Sequence, residues 1–268
     1  MPELPEVETL VRELRPYITG RRIDHVILRW PGCVVTPSPR AFVRRMKGRV
    51  IQEVSRRGKF LRFVLDQGSW LVHLKMTGRL LLLSAFEPDP YARADFILDD
   101  GRILRFQDLR KFGRLYWVAD PERIFRQLGP EPLDPQFRPE DLARRLAGRR
   151  GRLKALLLDQ SVLAGIGNIY ADEALWRARL HPMRPAASLN GEEIQRLWEG
   201  IREALLAGLR HHGTTIQWYR RLEGGSGEHQ RYLKVYGRAG QPCWRCGTPV
   251  IRQVLQGRSA YFCPACQR

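Results

Sequence analysis

The 268-residue chain is poor in cysteine, in acidic residues and in long apolar runs. Its five cysteines give no sign of the disulfide framework typical of secreted proteins, so we expect a reducing, intracellular setting. No apolar run approaches the roughly 18 residues needed to span a bilayer. The opening MPELPEVETL has none of the features of a signal peptide. We therefore expect a soluble, cytoplasmic protein with no membrane partner.

The shortage of acidic residues leaves a large positive charge. Lysine and arginine together number 46 against 28 aspartate and glutamate, which gives a net charge of +18 at pH 7. Such an excess predicts a polyanionic partner, and nucleic acid is the favoured class. Binding to a membrane surface, or an adaptation for solubility or heat, are the alternatives.

Four of the five cysteines form two CxxC pairs, Cys243 with Cys246 and Cys263 with Cys266. Two such pairs at this separation are typical of a tetrahedral zinc site made of four thiolates. Four protein ligands leave no open position for water, so we predict one structural zinc ion and not a catalytic one.

The first half of the chain has alternating or continuous apolar runs separated by turn signals, which predicts a β-sandwich or barrel. The expected strands include 22–30, 59–65, 70–74, 80–83, 95–98 and 103–106. One helix precedes them, with Pro5 as its first residue.

The second half changes character after a proline- and arginine-rich connection at 130–151. It then shows helical patterns. We predict helices at 139–147, 153–159, 168–177 and 190–211, the last with Asn190 as its N-cap.

The first residues could carry chemistry. If Met1 is removed, Pro2 exposes a secondary amine, and an α-amino group with a pKa of about 8 is partly neutral at neutral pH. It could form an iminium with an aldehyde-like sugar carbon, while Glu3 and Glu6 transfer protons. An ordinary helix entry rich in proline and glutamate would explain the same residues.

Two stretches offer contacts to a phosphate. The glycines of 163–167 precede a helix and could present N–H groups to an anion, with Asn168 adding a side-chain donor. A packing turn between helices is the alternative. Lys59 could reach a phosphate, and the start of a basic strand explains it equally well.

A further set could enter a base stack. Arg110 and Phe112 lie in a predicted loop, and Met76 ends a strand in the same half of the chain. Large apolar or arginine side chains on loops can fill the gap left by an extruded base. A β-turn with a buried Phe112 and a solvated arginine is the alternative.

Together these motifs resemble the formamidopyrimidine-DNA glycosylase family, which includes the endonuclease VIII enzymes. The matching segments are MPELPEVET at 1–9, RRGKFL at 56–61, HLKMTG at 73–78, DLRKFGRL at 108–115, LGPEPL at 128–133, KALLLDQSVLAGIGNIYADEALWRARLHP at 154–182, VYGRAGQPC at 235–243 and the paired cysteines. They run in order along the whole chain, and their combination is very specific.

The resemblance implies an α+β fold. An N-terminal β-sandwich with a helix at its start would cover residues 1–130, and 131–152 would link it to the rest. A helix–two-turn–helix domain would follow at 153–235, including a loop that covers the lesion. A four-cysteine zinc finger with a β-hairpin would end the chain at 236–268.

The resemblance also implies an activity and a partner. The protein would be a bifunctional DNA glycosylase and AP lyase of base excision repair. It would act as a monomer, at the nucleoid, on double-stranded DNA that contains damaged bases or abasic sites. Its substrates would be formamidopyrimidines and 8-oxoguanine, and it would nick the strand by β,δ-elimination.

The family pattern implies four catalytic residues: Pro2, Glu3, Lys59 and Arg258. Pro2 would attack the sugar C1′ to form the iminium, and Glu3 would transfer protons around the sugar. Lys59 and Arg258 would hold phosphates near the lesion, with Arg258 projected by the zinc hairpin.

Further positions would bind DNA: Glu6, Met76, Arg110, Phe112, Lys154 and Asn168. Met76, Arg110 and Phe112 would fill the space left by the flipped nucleotide. Asn168 would bind a phosphate, and Glu6 would help to line the lesion pocket.

The chain departs from the family pattern at several positions. Lys75 stands where glycine is frequent, and residues 91–94 contain no histidine. Within 213–232, Trp218 replaces a usual acidic residue, and Glu228 and His229 stand where an aromatic pair is expected. Other lesions, such as oxidised pyrimidines, therefore remain an alternative substrate. A catalytically silent damage-binding protein and an RNA-binding ribosomal zinc protein are further alternatives.

Overall fold

The computed structural model describes residues 1–222 and 224–268, which form two compact units. The first comprises Met1–Phe125 with His212–Glu228, and the second comprises Arg126–His211 with His229–Arg268. The structure thus groups His212–Glu228 with the N-terminal residues, whereas the family resemblance implies that this stretch belongs to the 153–235 domain. The domain boundaries expected from the sequence stay a prediction.

The first unit is a β-sandwich. Its strands, numbered along the chain, are Ile23–Leu28 (β1), Val34–Thr36 (β2), Ile51–Arg57 (β3), Phe60–Leu65 (β4), Ser69–His73 (β5), Gly78–Leu83 (β6), Ala92–Leu98 (β7), Ile103–Asp108 (β8) and Arg114–Val118 (β9). One sheet has the order β1-β7-β8-β6 and the other the order β2-β9-β5-β4-β3. The predicted strands are therefore present, and they form a sandwich.

The two sheets share one hydrophobic core with the first helix, α1 (Leu4–Ile18). Trp70 of β5 stacks on Phe63 of β4, with ring centroids 4.2 Å apart, and lies 4.1 Å from the ring of Phe96 in β7. Because β5 and β7 belong to different sheets, the Trp70 ring joins the two layers. Burying such a side chain contributes about 2–3 kcal/mol to folding.

Some elements of this unit were not expected from the sequence. Helix α2 (Pro39–Met46), the short helix α3 (Glu122–Phe125) and strands β2, β3 and β9 are examples. In β3 only two residues are buried, because the strand lies at a sheet edge and its sequence IQEVSRR shows little alternation.

The predicted start of α1 is wrong by one residue. Glu3 is the N-cap, Leu4 is the first helical residue, and Pro5 occupies the second position. Proline is tolerated there because the first N–H groups of a helix have no intrahelical partner.

The second unit contains helices close to the predicted ranges: Pro139–Leu146 (α4), Leu153–Leu158 (α5), Asn168–Ala178 (α6) and Gly191–Arg210 (α7). The chain then forms an antiparallel hairpin of Ile251–Leu255 (β10) and Arg258–Phe262 (β11). Among the described residues, no helix is long and apolar enough to cross a membrane.

We expect Asn190→Ala to lower the free energy of unfolding by about 1 kcal/mol, because it removes the cap of α7. The Asn190 side chain accepts the Glu193 N–H at 2.9 Å, and the Glu193 carboxylate accepts the Asn190 N–H at 3.0 Å. Urea unfolding measures the loss, and Asn190→Ser is the control because serine keeps the acceptor. Equal losses in both variants would contradict the capping role.

Candidate active site

Residues 2–7 are buried in the first unit, directly after the exposed Met1. Pro2 is buried, and Glu3 and Glu6 are only 3% and 1% exposed. The Glu3 N–H donates to Glu6 Oε2 at 2.7 Å, and the Thr214 N–H donates to Glu6 Oε1 at 2.7 Å. Glu6 therefore fixes the backbone beside Pro2 and holds residue 214 with the same carboxylate. Removal of Met1 would leave the Pro2 nitrogen as a secondary amine at this position.

Lys59 lies between β3 and β4 in the same unit and is buried. His73 lies close to Lys59, because it pairs with Phe60 on the neighbouring strand. Burial and the charges of Lys75 and Lys59 lower the pKa of His73 to about 3, so the imidazole is neutral at physiological pH. The His73 Nδ1 atom accepts the Lys75 N–H at 3.1 Å. We did not expect a buried neutral histidine beside Lys59 from the sequence.

The predicted stack-filling side chains are exposed on two turns of one sheet. Met76 is 42% exposed and precedes β6, while Phe112 is 45% exposed and follows β8. The Arg110 guanidinium carbon lies 4.7 Å from the centroid of the Phe112 ring. The alternative of a buried Phe112 is therefore excluded, and an aromatic ring and a cation extend into solvent together.

Asp108 joins these two turns, although sequence reasoning did not identify it. Its carboxylate is fully buried and accepts the Thr77 hydroxyl. It also accepts the Gly113 N–H at 2.7 Å, and the Arg110 N–H donates to Thr77 Oγ1 at 3.1 Å. The turn that carries Met76 and the turn that carries Arg110 are thus held by one hydrogen-bond network.

The backbone at Lys75 explains why the family pattern often has glycine at this position. Lys75 has a φ of 53°, in the left-handed region that glycine favours. The turn before Met76 therefore has the backbone shape that a glycine would adopt, with lysine in its place.

In the second unit, Lys154 and Asn168 meet the hairpin strand β11. Lys154 Nζ donates to the Ser259 carbonyl at 2.6 Å, and Asn168 Nδ2 donates to the same oxygen at 3.0 Å. Lys154 is buried and also lies 2.7 Å from Asp172 Oδ1, while the Tyr261 N–H donates to Asp172 Oδ2 at 3.0 Å. Burial raises the pKa of Asp172, and the Lys154 ammonium and the Tyr261 N–H oppose that shift.

Arg258 begins β11 immediately after the hairpin turn and is exposed. Leu255 pairs with Arg258 across two turn residues, Gln256 and Gly257, whose φ angles are 48° and 75°. Positive φ at both central positions matches the twist of a two-residue hairpin. The turn therefore presents Arg258 one residue away from the Ser259 carbonyl that Lys154 and Asn168 hold.

The four paired cysteines converge in the second unit. Their sulfur atoms lie within 4.8 Å of one another, with Cys246 3.2 Å from Cys266 and 3.5 Å from Cys263. Four thiolates at this spacing fit a tetrahedral zinc ion, whose sulfur bonds are about 2.3 Å long. The Trp176 indole N–H donates to Cys243 Sγ at 3.4 Å, which attaches the cluster to α6.

Glu173 also connects α6 to the segment before the zinc ligands, and sequence reasoning did not identify it. Its carboxylate is fully buried and accepts the N–H groups of Lys234, Val235 and Tyr236 at 2.9–3.1 Å. The acidic pair in the motif YADEAL was the available signal. Asp172 and Glu173 each bind a different part of the C-terminal segment.

Three family models match consecutive parts of the chain. A formamidopyrimidine-DNA glycosylase N-terminal domain matches residues 1–115, and the H2TH domain of the same enzyme matches residues 128–220. A zinc finger found in FPG and IleRS matches residues 240–268. With the sulfur geometry, the last match confirms the predicted structural zinc site.

Similar proteins match over their full length. The formamidopyrimidine-DNA glycosylases of Geobacillus kaustophilus and Herpetosiphon aurantiacus are 46% and 49% identical, with complete coverage of both chains. The crystal structure of the MutM (Fpg) protein from Thermus thermophilus is 46% identical, with a TM-score of 0.90 over 99% of this chain and 98% of that one. A Lactococcus lactis Fpg mutant is 34% identical, with a TM-score of 0.93 over both complete chains. The chain therefore belongs to the formamidopyrimidine-DNA glycosylase family.

Proposed function

We propose that this family member is a DNA glycosylase that removes ring-opened or oxidised purines and then cleaves the strand as an AP lyase. The observation that carries the proposal is the burial of Pro2, with Glu6 fixing the backbone beside it. A nucleophilic amine needs such a fixed position, because correct orientation lowers the barrier to attack.

The proposed chemistry begins at Pro2 after Met1 is removed. The amine attacks the sugar C1′, the N-glycosidic bond breaks, and the base leaves with that electron pair and a proton. Glu3 transfers protons as the sugar ring opens to the iminium. The iminium acidifies the C2′ hydrogen, so loss of that proton expels the 3′ phosphate, and δ-elimination then expels the 5′ phosphate. Water hydrolyses the remaining adduct and regenerates the Pro2 amine.

The other predicted residues would bind the DNA. Lys59, Asn168 and Arg258 would hold phosphates beside the lesion. Met76 and Phe112 are exposed side chains of the kind that fill a gap in a base stack, and Arg110 would face the orphan base. Glu6 would also line the lesion pocket.

Lys154 takes an indirect part in this proposal. Its ammonium is buried between Asp172 and the Ser259 carbonyl, so it would act on DNA by fixing the strand that begins with Arg258.

The damaged DNA bound in structures of similar proteins supports this substrate class. A Lactococcus lactis Fpg mutant is described in a complex with a Fapy-dG-containing DNA, and the Fpg protein of the same organism with an abasic-site-containing DNA. The net charge of +18 suits double-stranded DNA as the partner. The protein would act as a monomer in the cytoplasm, at the nucleoid.

We expect sodium borohydride to trap the chain covalently on abasic-site DNA, because reduction of the iminium gives a stable amine. Pro2→Gly replaces the rigid secondary amine with a flexible primary amine and should give much less adduct, whereas Pro5→Gly, which alters the other proline of the same helix start, should give as much as the unaltered chain. Denaturing electrophoresis detects the adduct, and mass spectrometry verifies removal of Met1. An intact Pro2 terminus that gives no adduct would sink the proposed chemistry in favour of a silent damage-binding protein.

Base removal from purine lesions should be at least about tenfold faster than from oxidised pyrimidines, a difference of about 1.4 kcal/mol in barrier. The test measures single-turnover excision from duplexes with formamidopyrimidine, 8-oxoguanine or 5-hydroxycytosine, each against all four opposite bases. The alternative of a shifted lesion preference rests on Trp218, which is exposed and stands where the family pattern has an acidic residue. Faster excision of the pyrimidine lesion would establish that alternative.

Cys246→Ser should abolish stoichiometric zinc binding and expose residues 236–268 to proteases, because zinc-site binding energy is folding energy. With Arg258 no longer held, affinity for abasic duplex should fall by about tenfold or more, which a fluorescence titration measures. Cys33→Ser changes a buried cysteine outside the cluster and is the control. Normal affinity after verified metal loss would contradict this role for zinc.

A further inference from the structure

The 212–228 segment closes on itself within the first unit. The Tyr219 hydroxyl donates to the His212 carbonyl at 3.2 Å, and Thr215 Oγ1 donates to the Tyr219 carbonyl at 3.0 Å. The Gly227 N–H donates to Thr215 Oγ1 at 2.9 Å, and a Cβ atom on Gly227 would lie only 2.3 Å from the Gly213 carbonyl oxygen. The two ends of the segment are therefore in contact.

Two carboxylates on one face of α1 hold this segment. Glu6 accepts a backbone N–H at the start of the segment, at Thr214, as described above. Glu13, seven residues later and so on the same face, accepts the Leu222 N–H at 2.9 Å and Arg221 Nε at 2.5 Å. The Leu222 side chain is buried in the sandwich core beside this contact. The docked position of the segment is thus defined at both ends of one helix face.

In its docked position, the segment lies against two stretches that the proposed function assigns to the reaction. One is the start of the chain, and the other includes Met76. Through Glu6, Thr214 shares a carboxylate with the Glu3 N–H beside the proposed nucleophile. At its outer side, the Trp218 ring lies 5.9 Å from the guanidinium carbon of Arg79, the second residue of the strand that follows Met76. A shift of the segment would therefore alter the surroundings of a bound damaged nucleotide at both places.

We propose that Glu13 is a positioning residue for base removal, acting as a latch that keeps the 212–228 segment docked on α1. The inference rests on the proposed function, because it takes the 212–228 segment as the loop that the family resemblance places over the damaged base. Glu13 does not touch the reacting atoms; it acts through Leu222 and Arg221 on the rest of the segment. An abasic site has no base for the segment to contact, so the latch bears on excision and not on strand cleavage.

Trypsin measures docking without any DNA. The Arg220–Arg221 bond lies beside the latch, and proteases cut a bond in proportion to the population in which it is undocked. Hydrogen bonds to a charged group are strong enough that Glu13→Ala should speed cleavage there by about tenfold or more. Glu13→Gln keeps an acceptor for the Leu222 N–H and should show an intermediate rate. Mass spectrometry of the two fragments identifies the site of cleavage.

Kinetics measure the consequence for the reaction. Glu13→Ala should slow single-turnover removal of a damaged purine by about tenfold, while strand cleavage at a preformed abasic site stays within about twofold of the original rate. Glu8→Ala is the matched control, because Glu8 lies on the same helix and pairs with Arg12 and Arg56. Its ratio of excision to cleavage should equal that of the unaltered chain.

Two results would overturn the latch. Unchanged trypsin cleavage in Glu13→Ala would show that Glu13 does not hold the segment. An equal fall in excision and in abasic-site cleavage would show a general structural role. A chain that removes no base at all would overturn the proposed function and the kinetic part of this inference, and faster trypsin cleavage would then still identify the docking contact.

Discussion

The structure depends on buried carboxylates that accept backbone N–H groups. The backbone that they hold belongs to no sheet or helix. Glu6 binds the N–H groups of Glu3 and Thr214, and Glu173 binds three consecutive N–H groups at 234–236. A carboxylate loses its hydration on burial, so it is tolerated only where such donors or cations replace the water. Each of these carboxylates therefore holds backbone that has no partner in a sheet or helix.

This use of acidic residues alters the electrostatics of the surface. The sequence contains only 28 acidic residues, and among the described ones several of them are almost fully buried, including Glu6, Asp95, Asp108, Asp172 and Glu173. Buried basic residues in the same described part of the chain are fewer. The exposed side chains consequently carry more net positive charge than the total of +18 suggests, which leaves more cations in a position to contact phosphates directly.

The sequence was sufficient where the signal is local. The spacing of Cys243 to Cys266 fixed the metal site, and Asn190 followed by glutamates identified the start of α7. Contacts between loops were beyond its reach: nothing near Asp108 indicates that it accepts the Gly113 N–H and the Thr77 hydroxyl. A carboxylate can pair with almost any donor, so tertiary packing decides which one it meets. The family resemblance supplied roles for residues such as Lys59, and the physical pattern alone left them open.

The left-handed backbone at Lys75 has a consequence for the turn that presents Met76. A lysine in that conformation carries a strain of about 1 kcal/mol or more, which the surrounding structure must offset. The turn is therefore shaped by its environment, through the His73 imidazole that accepts the Lys75 N–H and through strand β6, which begins at Gly78. Because these contacts determine the shape of the turn, they also determine the backbone position from which the exposed Met76 side chain extends.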